Sequence, residues 1–204
     1  GSCDKTIEVT QKFFKDHNVQ NFCIFREPFI DYSSSRNKAL DLTEEYFPRS
    51  DFILMIDAEW YAQNVKGIID FCEKHVNDDS TKVYCYNIRI ETPGYEFLTS
   101  RLIKSKSGVR FFGRVHETLN KIASDKLPYD VYFKYRPSKE GLKKTVERLT
   151  RDRDWLIQDH VENPTNKRFV YYLAQTYFSL ADIENAEKYF KLYIALDPSS
   201  EYAF

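Results

Sequence analysis

The chain has 204 residues, 42% apolar and 30% charged, which suits one folded domain of ordinary size plus a smaller appendage and excludes a disordered chain. A net charge of −1, from 30 basic and 31 acidic side chains, argues against broad binding to nucleic acid or to a membrane surface. No apolar run approaches the roughly 20 residues that span a bilayer, and no signal-peptide pattern opens the sequence, so no transmembrane segment is expected.

Up to about residue 136, short apolar runs alternate with amphipathic stretches. Phe22–Phe25 is a continuous apolar run of strand length, and such runs suit parallel strands buried on both faces. Ser33–Tyr46 reads as a helix with serines available as caps. Phe52–Ile56 is a second buried-strand pattern, and Val65, Ile68, Ile69 and Cys72 mark one face of another helix. Lys82–Ile90, Phe97–Ile103, Val109–Phe112 and Val131–Tyr135 are β-branched and aromatic, hence strands. This alternation predicts an α/β sandwich. After Pro137 the strands stop. Lys139–His160 forms a charged helix pattern broken at Asn163-Pro164, and Phe169–Leu180 with Ile183–Leu196 forms a helical pair. The division predicted is 1–137 and 138–204.

The four cysteines, Cys3, Cys23, Cys72 and Cys85, contain no C-x-x-C pair, which disfavours zinc. Cys23 and Cys85 lie in apolar runs where buried free thiols are common, so a reducing, cytoplasmic setting is expected. The 15 tyrosines and 16 phenylalanines are first of all packing material.

Chemistry is concentrated where the run Phe52–Ile56 ends in Asp57-Ala58-Glu59. Carboxylates at i and i+2 of an extended segment point the same way, and ligands of open α/β sheets bind beyond the carboxyl ends of strands. Paired hard oxygen ligands there suit Mg²⁺ or Mn²⁺. The plain alternative is an acidic turn after a strand.

Four segments carry a family resemblance. Gly1-Ser2-Cys3-Asp4-Lys5-Thr6 resembles the G-S-x-D-x-T loop of family 2 glycosyltransferases, and the Ser33–Leu40 segment resembles their S-x-x-R-N-x-A-L stretch. Phe52–Glu59 resembles their apolar strand ending in D-x-D, here D-x-E with Trp60 following. Phe112–Glu117 resembles the G-x-V-H-E segment of members with tetratricopeptide tails. Order and spacing agree over residues 1 to about 136. The implied fold is a three-layer, Rossmann-like nucleotide-diphospho-sugar transferase sheet. Relatives have two strands before the G-S-x-D loop, so the catalytic domain is expected to lack its start, leaving the sheet edge near residues 22–25 exposed or covered from elsewhere.

The implied activity is metal-dependent, inverting transfer of a sugar from a nucleotide-diphosphate donor, a UDP-sugar first, to a hydroxyl of a glycan or protein acceptor. Asp57 and Glu59 would hold Mn²⁺ or Mg²⁺, with His116 as a third metal or phosphate ligand. Arg36 and Asn37 would contact the diphosphate and nucleoside, with Ser2 and Asp4 near the ribose. Glu117, beside His116, would be the base, and Glu91 is its reserve. Arg101 and Arg114 are either acceptor contacts or solvated charges.

In the tail, Val170, Leu173, Ala174, Tyr177, Ala186, Phe190 and Pro198 match tetratricopeptide spacing, which a generic helical hairpin partly shares. Two rivals stand beside the transferase. One is a non-catalytic remnant whose tail binds a protein partner. The other is a nucleotidyltransferase, for which no glycine-rich triphosphate loop is present.

Overall fold

A computed structural model describes residues 5–78, 84–121, 125–137 and 146–198. The chain opens with helix α1 (Thr6–Asp16), none of whose side chains is buried, followed by irregular backbone and α2 (Tyr32–Tyr46). The cap of α2 is Asp31 rather than a serine. Its carboxylate accepts from the Ser34 backbone N–H at 2.6 Å and from the Ser33 and Ser34 hydroxyls, satisfying N–H groups that a helix start leaves without partners.

The expected strand Phe22–Phe25 does not form. Its rings make local clasps instead, Phe22 with Phe14 of α1 and Phe25 with Tyr46 of α2, and both rings and Cys23 are exposed. An apolar run marks a need for contact, and aromatic pairs meet part of it without a ladder.

Strands β1 (Phe52–Leu54), β2 (Trp60–Gln63), β3 (Cys85–Thr92), β4 (Tyr95–Lys104), β7 (Asp125–Lys126) and β8 (Tyr132–Tyr135) form a mixed sheet. Its order is β1-β4-β3-β8-β2, with β7 beside β3. The β1/β4, β3/β4 and β2/β8 pairs are antiparallel, while β3/β8 and β3/β7 are parallel. The run Phe52–Ile56 is therefore an antiparallel strand at the end of the sheet order, not an interior parallel one. Its burial alternates, with Ile53 and Met55 buried and Leu54 and Ile56 exposed. β3 and β4 join through Pro93-Gly94, where Gly94 takes φ 98°.

Helix α3 (Val65–His75) covers one face, setting Ile68 and Phe71 against Tyr86, Ile88, Ile90, Leu102 and Phe133. On the other, Leu40 of α2 packs with Ile53, Met55, Cys85, Ile103 and Phe111. Burial pushes the Cys85 thiol up to about 11, so it is an inert packing group. A small ribbon of β5 (Phe111–Phe112) and β6 (Thr118–Leu119) stands beside this layer.

Three helices close the chain: α4 (Val146–Glu162), α5 (Lys167–Ser179) and α6 (Ile183–Leu196). Ala174 and Ala186 are buried as the hairpin spacing predicts, and Tyr177 stacks on Tyr189. Val115, from the first half of the chain, is buried among Leu156, Leu173, Tyr177 and Ala186. No helix of the described residues is long and apolar enough to cross a membrane.

Leu156 is fully buried in this shared core. Leu156→Ala should lower unfolding stability by about 2–5 kcal/mol in urea titration. Because Val115 belongs to the same cluster, sheet and helices should melt in one transition; two well-separated transitions would contradict that coupling.

Candidate functional site

Arg36 sits one turn into α2, and its guanidinium faces two carboxylates from distant parts of the chain. Nη2 donates to Asp57 Oδ1 at 2.9 Å, and Nε donates to Glu117 Oε1 at 2.5 Å. Arg101 completes a four-membered ring of alternating charge, its Nη2 lying 3.6 Å from Asp57 Oδ2 and 3.9 Å from Glu117 Oε1. The Glu117 side chain is 11% exposed and that of Asp57 37%, so the ring is sunk at one end and open at the other.

Each member is held by a different device. Beside Arg36, the Asn37 amide bonds both the N–H and the C=O of Phe111, at 2.8 Å each, and ties α2 to β5 as a strand neighbour would. Asp57 opens a turn in which its carbonyl accepts the Trp60 N–H at 3.0 Å. Arg101 occupies a β-bulge: Tyr86 pairs with Leu102 and Asn87 with Ser100, leaving Arg101 as the extra residue, while its carbonyl accepts the Met55 N–H. Bulges re-aim side chains, and this one directs a cation over the rings of Trp60 and Phe111, at 5.3 and 5.6 Å. Burial, and then the charge of Arg36, push the Arg101 guanidinium below its ordinary value, against the pull of Asp57 and Glu117.

Glu117 is delivered by the segment Gly113–Glu117, which the helical tail grips. Gly113 has φ 89°, and a Cβ there would stand 3.0 Å from the Phe169 ring of α5. The Arg114 N–H donates to Asp159 Oδ2 at 2.8 Å, while its guanidinium bonds Asp159 and Glu162 of α4. The Arg114 carbonyl accepts the Tyr32 N–H. Arg114 is thus a structural tie between sheet and tail.

Several expected residues lie elsewhere. Ser2 and Asp4 fall outside the described residues. Asp57 and Glu59 do not leave an extended strand side by side, because the turn intervenes. The Glu59 carboxylate bonds Tyr135, whose phenol is pushed up by burial and then by the charge and hydrogen bond of Glu59. His116, at φ 50°, lays its ring parallel on Tyr172 at 4.0 Å, and its carbonyl accepts from Arg168 Nε at 3.0 Å. Glu91 is a half-exposed sheet carboxylate with Arg89 and Lys134 at 3.8 Å.

Among the described residues no group of three or more His, Cys, Asp or Glu side chains is arranged to hold a metal ion. With guanidinium groups against both oxygens of Asp57, this donor set as arranged does not fit a divalent ion. Neither Arg101 as a ring member nor the Arg36–Glu117 bond was legible in the sequence; an arginine on an apolar strand is the one signal that pointed to the former.

The chain matches no protein-family model, and no curated protein matches it.

Removing Arg114 would leave Asp159, 4% exposed, as an uncompensated buried charge. Arg114→Ala should cost about 3 kcal/mol, read from the urea midpoint, and Asp159→Asn should recover part of it. Arg114 also holds the Glu162 carboxyl below its ordinary value, chiefly by a hydrogen bond. That contribution is fully present above about pH 4.3 and is lost as pH falls through the lower folded value, so the variant's stability should depend less on pH in the acid range.

Proposed function

We propose that this chain carries a Rossmann-like glycosyltransferase core that moves a hexose from a UDP-sugar to a hydroxyl of a glycan or protein acceptor with inversion, in a cytoplasmic setting. One observation carries the reading. Three of the four segments with the family's pattern, which hold Arg36, Asp57 and Glu117, converge through contacts of 2.5 and 2.9 Å.

Transfer needs the leaving diphosphate's charge balanced and a carboxylate near the acceptor. Arg36, with its planar donor fork, is suited to the first task. Glu117 is suited to the second, as the base that accepts the acceptor's proton. Donor phosphates would draw Arg36 away from Glu117 and free the oxygen it now occupies. Of the His116-Glu117 pair, Glu117 is the member in the ring, so the base is assigned to it. Metal dependence rests on the resemblance alone: Asp57 and Glu59, with His116 third, would hold Mn²⁺ or Mg²⁺ for charge neutralisation only after leaving their present partners, Arg36 and Arg101, Tyr135 and Tyr172.

The non-catalytic reading, with the helical tail as a module for a protein partner, is favoured by the fact that both ring carboxylates already have cationic partners. Calorimetry with UDP and GDP, with Mn²⁺ or a chelator, separates the two. A transferase binds one nucleotide, and Arg36→Gln weakens it at least about tenfold, one charge-assisted hydrogen bond's worth. If neither nucleotide binds under either condition, the partner-module reading stands instead. In a turnover assay Glu117→Gln should lose about 10²–10⁴ in rate while nucleotide affinity changes little.

A further inference from the structure

A cavity of about 350 Å³ adjoins the ring. Arg101 and Glu117 line it, but Arg36 and Asp57 do not; Lys121, Arg168, Asn87 and Thr118 are among the rest of its wall. Three cationic side chains against one carboxylate give the cavity a positive balance that the ring itself lacks.

Arg101 is the informative member. The residue is 9% exposed, and neither Nε nor Nη1 has a hydrogen-bond partner. Its Nη2 stays 3.6 and 3.9 Å from the ring carboxylates, beyond hydrogen-bond length. A buried guanidinium with donors unmet is costly, and such groups in a folded protein call for an explanation such as a ligand. Arg36 takes Asp57 Oδ1 and Glu117 Oε1, and no oxygen of the ring is within hydrogen-bond reach of Arg101 Nε or Nη1. Among the described residues, the two other cations are held at the wall by a hydrogen bond and a ring each: Lys121 Nζ donates to the Ser107 carbonyl and lies over Tyr84, and Arg168 Nε donates to the His116 carbonyl and its guanidinium lies over Tyr172. Each keeps donors in reserve, because an ammonium has three and a guanidinium five. The Asn87 amide and Thr118 hydroxyl add neutral polar groups of the kind that meet sugar hydroxyls.

We infer that the acceptor is an acidic saccharide, a sugar bearing a carboxylate or a phosphate monoester, whose anion is bound by Arg101 between Lys121 and Arg168 while a hydroxyl faces Glu117. Since Nε and Nη1 are closed to solvent, the anion reaches them by a turn of the guanidinium that exchanges its longer ion pairs with Asp57 and Glu117 for the ligand's charge. This rests on the transferase reading of the ring and adds the acceptor's charge to it.

The test uses the full chain and titrates glucuronate, glucose 6-phosphate and neutral glucose by calorimetry or ligand-observed NMR, with UDP titrated separately. One acid or both should bind at least tenfold tighter than glucose, the stronger naming carboxylate or phosphate. Arg101→Gln should erase that preference and Lys121→Gln should reduce it, with circular dichroism confirming that both variants are folded. If UDP binds but the acids bind no better than glucose, the inference is overturned and the transferase reading survives. The inference is equally overturned if both variants keep the wild-type preference. If UDP fails to bind while the acid preference disappears in Arg101→Gln, the transferase reading falls and the anion site stands.

Discussion

The guanidinium of Arg36 hydrogen-bonds both carboxylates of the ring. Its fork supplies two N–H directions at once, and these meet carboxylates contributed by a turn after β1 and by the strap that follows β5. A lysine would offer a point charge and could not hold both oxygens in fixed directions. The neighbouring Asn37 makes the fork dependable, because its amide locks α2 to Phe111 and so fixes the backbone from which Arg36 reaches. Two adjacent residues thus divide the work, one fixing the helix and the other gathering the charges.

Glu117 arrives at that fork by a strained route. Gly113 takes a positive φ under the Phe169 ring, and His116 takes one that an L side chain adopts at a cost of about 1 kcal/mol or more. The stacking of His116 on Tyr172, the burial of Val115 and the Arg114–Asp159 pair offset that strain. All three come from contact with the helical tail. A segment that reads in sequence as a string of chemistry-bearing residues is, in the fold, mostly a clamp, with Glu117 as the part that reaches the ring.

Elements with a clear period are legible in the sequence. α3 begins at Val65 and α6 spans Ile183–Leu196, because apolar residues at helical spacing have few other ways to be buried. Phe22–Phe25 is not legible, since an apolar run looks the same whether a strand or an aromatic clasp consumes it. Phe52–Ile56 reads as a strand but not as an antiparallel end strand, because partner and direction are set by Lys104, Ile103 and Leu102, some fifty residues on. At the site, strand-end spacing singles out Asp57 with Glu59, while Arg36 and Glu117 come from the family resemblance. Both leave Arg101 open, because a bulge depends on the mismatch of two strands, which neither strand shows alone.

The burial of Val115 in the core of α4–α6 ties heat to chemistry. A helical tail opens by local fluctuations well before a whole chain unfolds unless its core is shared, and here it is shared with the residue two before Glu117. Each opening of the helices releases the strap, so the carboxylate keeps its place only while the helices stay shut. The temperature up to which the ring keeps its geometry is therefore set in the helical third of the molecule, by packing remote from the ring itself.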